Sequence, residues 1–286
     1  MTTSQPISLL THGDGPVFEV AVQSTELRLE LRVNDVPVLR LKGGHAKTVF
    51  DVNPQVVKGE NSLTMIVRPL ERGQEFSRHA VATASFRRRA SVKDEKSERL
   101  AALVFEGPGA NAATGFEKSP GYATVTPPVL TPMGLRATQA FDLDAPFEPW
   151  SFMTAPPITV TESVRSELFT AIRRVHALMK AKDIAGLTRE CEHQTRDWQQ
   201  AYYLPDEASA VKMLGVPQTF ADPDVEVEDL PDGHFEVELL GGGRLIQLVD
   251  ENGDSPLRLR VRDVPSMVGR FVCVFCRTAG GFRIAR

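Results

Sequence analysis

Cysteine is scarce, with three in 286 residues. A small, odd number argues against a disulfide framework and for a reducing compartment. Aromatic residues make up only 7% of the chain, and its two tryptophans are Trp150 and Trp198. The first half therefore lacks an indole platform for stacking on sugars until its very end. No apolar run approaches the roughly 18 residues that a bilayer span needs. Met1 to Gly15 has neither a basic n-region nor a continuous apolar core, so no secretory signal is expected. Charge of one sign is lacking too. The net value is −4, too small a field to attract nucleic acid or anionic membrane. Gly241-Gly242-Gly243 lacks the Lys-Ser/Thr of a phosphate-binding loop, and neither a G-x-S-x-G nor a zinc-hydrolase histidine motif occurs. These absences lead us to expect a cytoplasmic protein with no cofactor, no metal, and no nucleic-acid or membrane partner.

What is present points to two domains. The length exceeds what one core usually serves, and the apolar fraction of 42% is ordinary for a globular chain. Apolar residues at Val164, Leu168, Ile172, Val175 and Met179 recur at helical spacing, and a second stripe runs through Leu187, Cys191, Trp198 and Tyr202. Two sustained helices are thus expected between Thr161 and Tyr203. Before them the pattern alternates: Leu27, Leu29, Leu31 and Val33 share one face of a strand and Glu26, Arg28, Glu30 and Arg32 the other. Asn34-Asp35 tolerate positive φ and turn the chain into a partner strand at Val36–Leu41. Further strands are expected at Ser62–Arg68, Ala80–Phe86 and Leu135–Leu143, with a short helix within Ser91–Leu103 and loop from Glu106 to Pro132. Short strands at this spacing favour a β-sandwich over residues 1–145.

Pro146, Pro149, Pro156 and Pro157, interleaved with Phe147, Trp150 and Phe152, mark a stiff, pinned linker at 146–160. After the helices, a short helix is expected at Glu207–Leu214. Strands follow at Asp224–Glu228, His234–Leu240, Arg244–Val249 and Leu257–Val261, then a hairpin from Arg270–Arg277 to Phe282–Ala285. The fold class is α+β.

Two N-terminal helices, an intervening loop, an antiparallel sheet and the ending Gly281-Phe282-Arg283-Ile284-Ala285-Arg286 resemble the nuclear-transport-factor-2-like cone fold, over residues 161–286. That resemblance implies two helices on a curved antiparallel sheet, and a homodimer formed through the sheet. It does not choose a function, because the group holds isomerases, cyclases, dehydratases and silent binding modules. The turns Asn34-Asp35-Val36-Pro37-Val38 and Gly59-Glu60-Asn61-Ser62-Leu63 resemble those of small β-sandwiches in bacterial toxin-immunity and secretion-associated proteins.

Each chemical motif has a plainer explanation beside it. Cys273 and Cys276 spell C-x-x-C, but inside a strand an odd separation sends the side chains to opposite faces. Asp250, Asn252 and Asp254 open like a calcium loop, yet Ser255 and Val261 stand where that loop needs glycine and glutamate, so a hairpin turn is expected. Arg87-Arg88-Arg89 is followed by Asp94, Glu95 and Glu98 and reads as a solvated face. Glu190, His193 and Asp197 are spaced to share a helix face, and His176 borders the first stripe. These groups, with Trp198, Tyr202 and Tyr203 as walls, form the alternative pocket of a small-molecule enzyme or sensor. Asp222, Asp224, Glu226, Glu228, Asp229 and Asp232 place six carboxylates in eleven residues. Such a stretch either protects an edge strand or greets a basic partner. No catalytic constellation is complete. The leading expectation is therefore a non-catalytic binder, an immunity or secretion-associated protein whose acidic stretch recognises a basic effector or toxin.

Overall fold

The computed structural model describes residues 13–71, 73–107, 115–121, 125–131, 133–232, 235–250, 252–262 and 264–286. The chain is α+β, and all strand pairings among the described residues are antiparallel. It divides into two compact units, Met1–Glu148 and Pro149–Arg286.

In the first unit, β1 (Val17–Thr25), β4 (His45–Asp51), β6 (Val81–Arg89) and β7 (Glu98–Glu106) form one sheet in the order β4-β1-β6-β7. The other sheet is β3-β2-β5-β9-β8, from β2 (Arg28–Val33), β3 (Val36–Leu41), β5 (Gly59–Arg68), β8 (Val125–Thr131) and β9 (Gly134–Leu143). The sheets are sandwich-like. Phe18, Val20 and Val22 of β1 and Ala82, Ala84 and Phe86 of β6 are buried. Phe86 meets Phe141 of β9 with ring centroids 4.6 Å apart. Leu29, Leu31 and Val33 lie directly opposite Val67, Met65 and Leu63 in register, and all six are buried. The side-chain carbonyl of Gln139 accepts from the Ala102 N–H at 2.8 Å and so ties β9 to β7.

The Asn34-Asp35 turn forms as its chemistry requires, with φ of 52° and 62°. Asn34 does more than turn the chain: it donates to Gln55 O and Asn61 Oδ1 and accepts from Ser62 N. The charged face of β2 is buried as well. Glu30 accepts from Arg32 Nε at 2.6 Å and Arg40 Nε at 2.9 Å, and both Glu30 and Arg32 are buried. Burial pushes the Glu30 carboxyl pKa up, but Arg40 and Arg32 outweigh it and hold it below the usual value.

Two expectations for this unit need correction. Residues within Ser91–Leu103 join strand β7 instead of a helix, because Ala101, Leu103 and Phe105 alternate into the core at period two. The Gly/Pro-rich stretch contains strand β8, which lies at a sheet edge, where proline is tolerated.

In the second unit, α1 (Glu162–Lys180) starts at Thr161, whose hydroxyl accepts from Val164 N. Its expected stripe is buried, and it packs on the sheets. The second expected helix is interrupted. It forms as α2 (Ile184–Glu190), capped by Asp183, and α3 (Glu192–Ala201), joined at Cys191 with φ −89° and ψ 7°. Helices α4 (Glu207–Leu214) and α5 (Val216–Ala221) meet at Gly215, left-handed at φ 74°. A three-stranded sheet follows the order β10 (Val225–Val227), β13 (Arg258–Val261), β14 (Val264–Arg270). A four-stranded sheet follows the order β11 (Glu236–Leu240), β12 (Leu245–Val249), β15 (Phe275–Thr278), β16 (Gly281–Ile284). Gly241, Gly242 and Gly243 all take positive φ in the β11–β12 turn. The expected start of the strand at His234 lies outside the described residues.

The expected strand Arg270–Arg277 is not continuous. β14 ends at Arg270 and β15 begins at Phe275, so Cys273 lies outside a strand. The prolines of 149–157 do not make a free tether. Ile158 N donates to Gly243 O, Arg244 donates to Ala155 O, and Trp150 and Phe152 are buried. Phe147 belongs to the first unit, packed edge-on against Phe18.

Candidate functional site

The acidic stretch sits on a sheet edge. Asp224 O accepts from Arg262 N, and Glu228 N donates to Arg258 O, which continue the ladder at both ends of β10. In antiparallel geometry the alternate residues, Val225 and Val227, then turn main-chain groups toward the edge that no described strand pairs, although the Val225 N–H is already taken by Asp222 O. The six carboxylates are not equivalent. Glu226 accepts from Arg260 Nη2 at 3.0 Å and Arg262 Nε at 2.9 Å. Those two hydrogen bonds lower its pKa. Asp229 pairs with Lys180 at 2.9 Å, which lowers its pKa as well. Asp222 accepts from Asp224 N within its own turn. The side chains of Asp224, Glu228 and Asp232 are left without a hydrogen bond or ion pair among the described residues. Of the six carboxylates in the acidic stretch these three remain available, because Lys180 engages Asp229, a local turn engages Asp222 and cross-strand arginines engage Glu226.

The expected interior group separates into different sites. Glu190 is 8% exposed and accepts from Arg174 Nε at 3.0 Å and Nη2 at 2.8 Å, a bidentate pair. The second Arg174 nitrogen also donates to Phe282 O and so ties α1 to β16. Asp197, 5% exposed, accepts from Ser151 N, Ser151 Oγ at 2.9 Å and Arg286 Nη1 at 2.5 Å. Arg286 is 6% exposed, and its guanidinium carbon lies 4.7 Å from the Phe152 ring centroid and 5.4 Å from that of Trp150. Among the described residues its Nε and Nη2 have no hydrogen-bond partner, and neither do the buried His193 Nδ1 and Thr195 Oγ1. The bend at Cys191 separates Glu190 from His193 and Asp197. No acid–base pair forms between His193 and either carboxylate. His176 belongs elsewhere: its Nε2 lies 2.8 Å from Glu228 O, so the Nε2–H tautomer donates to the acidic edge.

The walls are only partly those expected. Trp198 and Tyr202 contact edge-on at 5.3 Å, and Tyr202 is buried; Tyr203 turns the chain at φ 54°. The cysteines divide between two surroundings. Burial and then Glu190 push the Cys191 thiol up to about 12. Burial, with Cys191 and Glu190 nearby, raises Cys273. Cys276 is raised by burial and by Asp197. Such thiols are poor nucleophiles and poor metal ligands. Among the described residues, no three His, Cys, Asp or Glu side chains are grouped to hold a metal. The Asp250 carboxylate of the calcium-like turn instead accepts from Asn252 N and Asp254 N.

Sequence reasoning missed Arg174, Ser151, Arg286 and the role of Trp150 and Phe152. A partner 89 residues away from Asp197 leaves no periodic trace, although an arginine within an apolar ending was a signal. No helix among the described residues is long and apolar enough to cross a membrane. Comparison with protein-family models, curated proteins and solved structures finds no match to this chain.

Proposed function

We propose that the chain is a non-catalytic protein-binding module. In this reading it acts in the cytoplasm of a bacterium as an immunity or secretion-associated protein that recognises a basic effector. The observation that carries the proposal is that, among the described residues, β10 ends its sheet with no further strand beside it and the carboxylates of Asp224, Glu228 and Asp232 are unpaired. An extended basic segment would add its main chain to that edge and set lysines or arginines against the carboxylates. The interior acids support the same reading, since Glu190 and Asp197 are already held by arginines. The antiparallel strands that follow α1–α3 are compatible with a cone-like second unit, and homodimerisation through its sheet belongs to this proposal.

The test is a pull-down with the full chain, followed by measured affinity for the retained partner at two salt concentrations. Reversal of Asp224, Glu228 and Asp232 to lysine should weaken binding by at least about tenfold. Glu226→Gln should matter less, because that carboxylate is engaged internally. Unchanged affinity in the triple variant would refute the proposal.

The alternative is a small-molecule enzyme or sensor. It is favoured by the unpartnered His193 Nδ1, Thr195 Oγ1 and Arg286 donors, buried groups that a polar ligand could satisfy. It predicts a saturable thermal shift with a small carboxylate that is lost in His193→Phe. A flat response across a carboxylate panel removes it.

A further inference from the structure

The triple-arginine stretch is not a uniform solvated face. Arg87 Nε donates to Ser85 Oγ at 3.1 Å. Arg89 Nε donates to Glu19 Oε2 at 3.0 Å, and its Nη1 donates to the carbonyls of Val92 and Asp94. The side chain of Arg88, between them, makes no hydrogen bond or ion pair among the described residues. It continues the inward face of β6, after Ala82, Ala84 and Phe86, and so reaches the end of the sandwich core half-buried.

There Arg88 lines an open pocket of about 370 Å³ with Ala90, Lys96, Ser97 and Glu98. The small side chains of Ala90 and Ser97 leave the concavity open. The side chains of Lys96 and Ser97 also have no polar partner among the described residues. Glu98 lies opposite Arg88 in the β6–β7 register, yet the two form no ion pair. The wall is stiff. Arg89 grips the turn, and Ser91 Oγ donates to Asp94 Oδ2 at 2.8 Å while Asp94 N donates to Ser91 O.

We propose that this pocket binds a small phosphomonoester. A guanidinium offers paired donors to two phosphate oxygens, an ammonium a mobile point charge, and a hydroxyl a further donor. Together they match the three acceptor oxygens and near-double negative charge of a phosphomonoester. The volume suits a ligand of a few tens of heavy atoms at most. Glu98 tempers the field and selects against bulky polyanions. The site lies in the first unit and does not depend on the acidic edge of β10.

The experiment is calorimetric titration of the full chain with inorganic phosphate and with free O-phosphoserine, against potassium chloride at matched ionic strength. Both phosphates should bind saturably, and chloride should not. Arg88→Gln and, separately, Lys96→Gln should each weaken binding by about tenfold, while Glu98→Gln should tighten it. Both lysine and glutamate positions are exposed, so their variants test the site even if Arg88→Gln disturbs folding. No saturable binding up to about 10 mM phosphate, or equal affinity in Lys96→Gln, would overturn the proposal. A phosphoserine decapeptide binding much more tightly than free O-phosphoserine would also overturn it in favour of a phosphoprotein partner. Equal binding supports a small ligand.

Discussion

Replacing Asp197 with alanine removes a buried carboxylate that accepts from two residues of the second unit. Asp197 holds the Ser151 amide and hydroxyl and the Arg286 guanidinium, and both members of the ion pair are almost fully buried. Loss of one partner leaves a buried, uncompensated cation, which costs about 3–5 kcal/mol. The chain has two tryptophans, Trp150 and Trp198, and both lie in the second unit. Tryptophan emission therefore reports urea unfolding of that unit alone. With a slope of about 2 kcal/mol per molar urea, the midpoint should fall by about 2 M. The double variant Asp197→Ala/Arg286→Met removes both charges and replaces the guanidinium with apolar volume between the Trp150 and Phe152 rings. It should regain at least half of the loss, a coupling of about 2 kcal/mol. A midpoint within about 0.5 M of the wild type, or a double variant no more stable than the single one, would refute this account.

Two further predictions concern titratable groups. With its pKa pushed up to about 12, the Cys191 thiol should react with Ellman's reagent at pH 8 roughly a thousandfold slower than a free thiol. All three cysteines should react in denaturant, and one fast native thiol would contradict the burial assigned here. Folding lowers the Glu30 pKa, so the stability it contributes is complete above the unfolded glutamate value of about 4.3. That contribution is lost as pH falls through the lower folded value. Calorimetry of Glu30→Gln should thus show a deficit near pH 6 that shrinks as pH falls below about 4; a constant deficit would show that packing, and not charge, is what Glu30 supplies.

The periodic parts of this chain were legible. Helix α1 follows from a stripe whose members all point one way, and Asn34-Asp35 announced its turn because few residues accept two successive positive φ values. Strand β7 was misread because Asp94, Glu95 and alanine suit a helix locally, while the core selects Ala101, Leu103 and Phe105 at period two. The bend at Cys191 escaped notice because Leu187, Cys191, Trp198 and Tyr202 keep helical spacing across it.

By itself the sequence determined what depends on neighbours along the chain: the α+β class, the turns, the main helix and the acidic run, since periodicity and backbone preference act over a few residues. Tertiary structure decided which charges remain available. Glu226 is silenced by Arg260 and Arg262, Glu190 by Arg174 and Asp197 by Arg286, whereas the side chains of Asp224, Glu228 and Asp232, and of Arg88 on the other unit, stay unpaired among the described residues. A carboxylate's fate rests on which guanidinium the fold brings within about 3 Å. That distance is set by strand register and helix packing between residues far apart in sequence.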